Sequence, residues 1–286
     1  IRKLNVEYNP KNEMIITVGG SEGIDIALRA MLDKDDEVLI PQPSYVSYEP
    51  CTILAGGKPV IIELKAEDGF KLKASQILEK ITDKTKILIL PFPNNPTGSI
   101  LNIGELKEIA KVCIKKDLYV ISDEIYCELT YEGEHASIVQ IEGMKERTVL
   151  INGFSKSYAM TGWRLGYATG PKEIIAQMTK IHQYAIMCAP TTSQYAAVEA
   201  LIHGDADVAR MRESYNQRRR YLLYRFEEIG MTCFEPQGAF YVFPSIKKFN
   251  MSSEEFATRL LEEQKIAIVP GTAFGASGEG YVRVSY

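Results

Sequence analysis

The sequence predicts an α/β fold, with a large lobe on a mostly parallel sheet flanked by helices and then a smaller α+β lobe. Three observations carry this. From residue 14 to 170, short apolar runs alternate with segments of helical spacing. Runs such as Lys86-Ile87-Leu88-Ile89-Leu90 are almost continuously apolar, as strands buried on both faces must be. The length of 286 residues exceeds what one core usually serves, and a long polar helix at 205–229 is suited to link two lobes. The expected division is 1–204 and 205–286.

In order, residues 14–18 form a strand, and Gly19-Gly20-Ser21-Glu22-Gly23 turns into a helix at 24–32. Such a turn leaves backbone N–H groups free for an anion, and Ser21 either adds a hydroxyl or merely caps the helix. Strand 37–40 stops at Pro41-Gln42-Pro43 and delivers Tyr45. Residues 59–64 are a strand and 74–81 an amphipathic helix. Strand 86–90 ends in the rigid loop Pro91-Phe92-Pro93-Asn94-Asn95-Pro96-Thr97-Gly98, which presents Asn95. A helix at 102–116 precedes strand 118–122, which ends in Asp123-Glu124-Ile125-Tyr126. Strand 148–151 leads into Ser155-Lys156-Ser157, with Arg164 eight residues after the lysine. A strand at 165–170 and helices at 171–182 and 189–202 complete the large lobe. The small lobe takes a helix at 253–264 and strands at 266–269 and 280–286. Arg283 lies between Val282 and Val284, and an arginine in a core strand needs an anionic partner, structural or substrate.

Composition narrows the function. A net charge of −4 without a basic stripe argues against nucleic acid as a partner. No apolar run is long enough to span a bilayer and no signal peptide opens the chain, so no membrane partner and a cytoplasmic location are expected. Five scattered cysteines without a C-x-x-C pair read as buried free thiols in a reducing compartment. His135, His182 and His203 form no cluster, so neither a metal site nor a histidine-based triad is expected. The chain opens at Ile1 and stops after a strand-like run, so both ends of a longer protein are expected to be absent.

Four successive strands thus end in Tyr45, in Asn95, in Asp123 with Tyr126, and in Lys156. In open α/β sheets the ligand crevice lies outside the carboxyl ends of the strands. A lysine held there is desolvated, which lowers its pKa and frees its amine as nucleophile or base. This set meets the demands of pyridoxal 5'-phosphate (PLP). Lys156 serves the aldehyde, Asp123 the ring nitrogen, Asn95 and Tyr126 the phenolate, and Tyr45 the ring face. The phosphate takes Gly20, Ser21 and Glu22 by backbone, with Ser155 and Arg164.

The stretches Pro93-Asn94-Asn95-Pro96-Thr97-Gly98, Ser122-Asp123-Glu124-Ile125-Tyr126 and Gly153-Phe154-Ser155-Lys156-Ser157-Tyr158-Ala159-Met160-Thr161-Gly162-Trp163-Arg164 resemble the class I/II aminotransferases, PLP enzymes of fold type I. Gly238-Ala239-Phe240-Tyr241 and Val282-Arg283-Val284-Ser285 continue the resemblance in collinear order. It implies that Lys156 is the Schiff-base lysine and Asp123 the ring-nitrogen partner. Asn95 and Tyr126 then bind the phenolate, Tyr45 stacks, Arg164 takes phosphate, and Arg283 grips the substrate α-carboxylate beside Asn95. It further implies a homodimer and ping-pong transfer of an amino group from an L-amino acid to a 2-oxo acid such as 2-oxoglutarate. Aromatic, aspartate or diaminopimelate-type donors fit the branch most similar to this chain. Gly153 departs from members with a phosphate-binding serine there, and the family's N-terminal segment and last helix are missing. A carbon–sulfur β-lyase and an effector domain of a transcription regulator are the alternatives on the same scaffold.

Overall fold

The computed structural model describes residues 4–286. Strands β1 (Met14–Thr17), β2 (Glu37–Gln42), β3 (Lys58–Glu63), β4 (Thr85–Leu90), β5 (Tyr119–Asp123), β6 (Thr148–Gly153) and β7 (Gly166–Thr169) form one sheet. Their order is β1-β7-β6-β5-β4-β2-β3. Strand β7 is antiparallel to both neighbours, and the other pairings are parallel. The chain reverses its winding direction between β2 and β4, the switch point beside which α/β sheets open a crevice.

Successive side chains of each central strand enter opposite cores, which is why these strands read as unbroken apolar runs. Leu39, Leu88, Leu90, Val120 and Leu150 pack on one face with Ile77 of α3 (Ala74–Lys80) and Leu106 and Ile109 of α4 (Ile103–Lys115). Val38, Ile40, Ile87, Ile89, Ile121, Val149 and Ile151 pack on the other with α1 (Gly19–Met31), Tyr48 of α2 (Tyr48–Leu54) and α5 (Lys172–Ala185). Helix α4 starts with a full capping box. Asn102 accepts from Gly104 and Glu105 N–H, and Glu105 reaches back to Asn102 N–H at 2.8 Å.

After α6 (Thr191–His203) and the long α7 (Asp205–Glu228), the chain builds a second, antiparallel sheet in the order β8-β10-β9. It comprises β8 (Tyr241–Val242), β9 (Val269–Pro270) and β10 (Val282–Ser285), with α8 (Ser253–Gln264) alongside.

The sequence expectations need four corrections. Helix α1 begins at Gly19, not beyond Gly23, so Ser21 is inside the first turn and caps nothing. Strand β2 runs through Pro41 to Gln42, still paired with β3, because β4 has already left its other edge at Leu39 and no partner there needs the missing N–H. Helix α2 was not expected; its Pro50 lies in the first turn, where N–H groups lack intrahelical partners anyway. Of the five thiols only Cys113 is buried; Cys188 is exposed and the others are intermediate.

Candidate active site

A cavity of about 330 Å³ opens at the carboxyl ends of β2, β4, β5 and β6. Among the described residues it gathers Gly20, Ser21, Tyr45, Asn95, Asp123, Tyr126, Ser155, Lys156, Arg164 and Arg283, which is every expected residue except Glu22. Glu22 turns away, its carboxylate accepting from Val18 N–H at 2.5 Å and meeting His182 Nδ1 at 2.8 Å. As the first three residues of α1, Gly19, Gly20 and Ser21 carry N–H groups without an intrahelical acceptor. The anion site expected of the Gly20, Ser21 and Glu22 backbone thus falls on the first turn of this helix.

Lys156 rides on an excursion between β6 and β7. Gly153 faces Gly166 across the antiparallel pair, and Phe154 N–H donates to the Leu165 carbonyl at 3.2 Å. The segment between must leave the sheet and return to the same base. Burial depresses the Lys156 pKa, and the Arg283 and Arg164 charges lower it further, against a smaller opposing pull from Asp123. The result is an amine more readily neutral than an ordinary lysine.

Arg164 ends the same excursion in a left-handed conformation (φ 51°), its Nη1 donating to the Thr161 carbonyl at 3.0 Å. This folds the guanidinium back over the N-terminus of α1. A Cβ on Gly19 would lie 2.7 Å from Nη2, and Gly19 itself has φ +75°. The positive φ favours glycine there, and a side chain would push the guanidinium aside. Arginine and helix dipole then face one spot, where an anion is favoured twice over.

Asp123 ends β5 with 7 % of its surface exposed. Its Oδ2 accepts from Tyr48 OH at 2.7 Å and its Oδ1 from Ile125 N–H at 3.2 Å. Burial raises the carboxyl pKa more than these donors and the weaker pull of the Lys156 charge lower it. In the β4 loop, the Asn94 carboxamide oxygen accepts from Thr97 N–H and Thr97 Oγ1, which fixes the turn and leaves Asn95 to reach the cavity. Tyr45 meets Ser21 Oγ at 3.3 Å and packs edge-on to Tyr48.

Among the described residues Arg283 finds no carboxylate partner. Its Nη1 donates to Asn95 Oδ1 at 3.0 Å, its guanidinium lies 4.4 Å from the Tyr241 ring centre, and its buried Nε has no hydrogen-bond partner. The structural-carboxylate reading therefore fails, and a half-buried arginine whose Nε lacks a partner is left for an anionic ligand.

Two functional side chains escaped the sequence reading. Tyr48 holds Asp123, and Tyr241 lies 2.8 Å from Tyr126 OH. Neither hydroxyl partner is near in sequence, so no spacing signals them.

Lys156, Arg164 and Arg283 against one carboxylate make the cavity electropositive, and its size suits a small anionic aromatic ligand. No group of three or more metal-ligating side chains occurs among the described residues, and no helix there is long and apolar enough to cross a membrane.

A family model described as aminotransferase class I and II matches residues 2–286. The putative aminotransferase YugH of Bacillus subtilis is 51 % identical over 284 residues, spanning 99 % of this chain and 74 % of that protein. The aspartate aminotransferase of Pyrococcus abyssi is 46 % identical, spanning 99 % and 73 %. Among solved structures, an aromatic aminotransferase from Pyrococcus horikoshii superposes with TM-score 0.96 at 44 % identity, covering 98 % of this chain and 76 % of that one.

Proposed function

This chain belongs to the class I and II aminotransferase family, and from that premise we propose that its cavity binds PLP and runs a ping-pong transamination. The donor is an L-amino acid of aromatic, aspartate or diaminopimelate type, and the acceptor a 2-oxo acid such as 2-oxoglutarate. The observation that carries this is the convergence of Lys156, Arg164 and Arg283 with the lone Asp123 in one cavity.

When bound, PLP supplies an aldehyde that condenses with amines and a ring that accepts electrons from the substrate Cα. The residues present fit it. Arg164, Ser155 and the N–H groups of Gly20, Ser21 and Glu22 would hold the phosphate. Asn95 and Tyr126 donate to the phenolate, and Tyr45 covers the ring. Asp123 would hold the proton on the ring nitrogen. Lys156 takes the Cα proton and returns it one carbon away, base then acid, a task suited to its depressed pKa. Arg283 fixes the α-carboxylate with its unused donors.

We further propose the division at residue 204 and a homodimer. Gly204 separates α6 from α7. Tyr184, Met187 and Tyr195 are 92 %, 78 % and 76 % exposed. The helix carrying Tyr195 is tied to the cavity rim, Ser193 Oγ donating to the Trp163 carbonyl at 2.7 Å. An apolar face of this kind suits a second copy.

The test is a panel of amino donors with the purified protein and PLP, followed by absorbance. Donor-dependent conversion of the cofactor to its amine form, lost in Lys156→Ala, is expected. Near-parental turnover by Lys156→Ala overturns the mechanism, and pyruvate release from cystathionine without a 2-oxo acid points to a β-lyase.

A further inference from the structure

We propose that Tyr241 is a positioning residue that joins the two halves of the site, its hydroxyl orienting Tyr126 and its ring supporting Arg283. The proposal rests on the reading of the cavity as a PLP and α-carboxylate site.

Tyr241 begins β8, on the small sheet, and is 5 % exposed. Its hydroxyl lies 2.8 Å from Tyr126 OH, on the loop after β5 of the large sheet. Its ring face lies under the Arg283 guanidinium at 4.4 Å, a cation–π distance. One buried side chain therefore touches the phenol expected at the cofactor oxygen and the arginine expected at the substrate. The cation over its ring makes Tyr241 the better donor of the two phenols, which leaves Tyr126's own O–H free to point into the cavity. Burial raises the pKa of both phenols, so the pair stays protonated at neutral pH.

The backbone before Tyr241 is strapped to the large sheet. Gln237 and Gly238 N–H both donate to the Gly98 carbonyl at 2.9 Å, and Tyr131 N–H donates to the Gln237 carbonyl at 2.9 Å. Tyr131 OH donates to the carbonyl of Ala239, which is left-handed at φ 57°. A Cβ on Gly238 would fall 2.6 Å from Pro93 Cβ, so only glycine lets the strap sit this close. The Gly238-Ala239-Phe240-Tyr241 stretch thus delivers Tyr241 to a place fixed by both loops that carry the site.

Tyr241→Phe removes the hydroxyl and keeps the ring, and Tyr241→Leu removes both. Three measurements read them: PLP affinity with the absorption band of the bound cofactor, affinity of the PLP-loaded protein for a simple carboxylate inhibitor, and crystal structures without cofactor. Tyr241→Phe is expected to weaken PLP about three- to tenfold, to shift the band, and to leave carboxylate affinity alone. Tyr241→Leu is expected to lose about fivefold more in carboxylate affinity. A Tyr241→Phe protein with parental PLP affinity and band overturns the hydroxyl role. A Tyr241→Leu protein with the carboxylate affinity of Tyr241→Phe overturns the ring role. If the parent itself takes up no PLP, the function proposal falls. The positions of Tyr126 and Arg283 in the cofactor-free variants then decide the positioning role, and parental positions in both overturn it.

Discussion

Replacing Gly19 by alanine separates a backbone cost from a binding cost at the proposed phosphate site. The φ of +75° is one that L side chains rarely adopt, which costs about 1–2 kcal/mol of stability. The new Cβ would stand 2.7 Å from Arg164 Nη2, where ordinary contact begins near 3.4 Å, so the guanidinium must move by about 0.7 Å. The end of an arginine moves easily, so the steric cost is small, but the clamp is displaced. Arg164 is exposed, so its charge-assisted bonds to phosphate belong near the low end, about 1.5 kcal/mol. PLP affinity should then fall about tenfold. Gly20→Ala is the matched control for stability. Its Cβ would meet Ile151 and Ile125 at 3.5 and 3.7 Å, ordinary contacts, and it should be neutral or slightly stabilising. Urea denaturation of the cofactor-free proteins and titration with PLP read the two costs. Parental PLP affinity in Gly19→Ala, or an equal stability loss in Gly20→Ala, refutes the reasoning.

Tyr48→Phe leaves Asp123 with one donor, so its carboxyl pKa should rise further and cofactor-dependent turnover should drop more than PLP retention; a pH–rate profile checks this. Arg283→Lys keeps the charge but loses the fork, and should weaken every α-carboxylate ligand about tenfold, measured as inhibition by a simple carboxylate. Lys156→Met should stabilise the cofactor-free protein. The native lysine has a depressed pKa, so folding is penalised below it and the penalty is relieved as pH rises toward the ordinary lysine value. The advantage of Lys156→Met, read by thermal melts across pH, should therefore be largest near neutrality and shrink in alkali. An advantage constant with pH would contradict it.

The strand ends that frame the cavity were legible because buried parallel strands are written as apolar runs, and the first polar residue after each run has to be at the sheet edge. Asn95, Asp123 and Lys156 were found this way. Arg283 was found from its intrusion into an apolar alternation, but the absence of a carboxylate partner needed coordinates. Tyr48 and Tyr241 were opaque for a common reason. A buried tyrosine in an apolar segment looks like core, and only its hydroxyl partner, 75 or 115 residues away, distinguishes it. That the Glu22 carboxylate turns from the cavity to His182, 160 residues on, needed coordinates as well. Pro41 failed as a stop signal because its strand was already an edge on one side.

The excursion closed by Phe154 and Leu165 has a mechanical consequence. It carries both the amine and the anion clamp, so their spacing is set within one short piece of chain and is indifferent to where the second sheet lies. The proposed grip on the α-carboxylate is mounted on that second sheet, through Arg283 and Tyr241. A small rotation of one sheet against the other would therefore move Arg283 relative to Lys156 while the spacing of Lys156 and Arg164 stayed as it is.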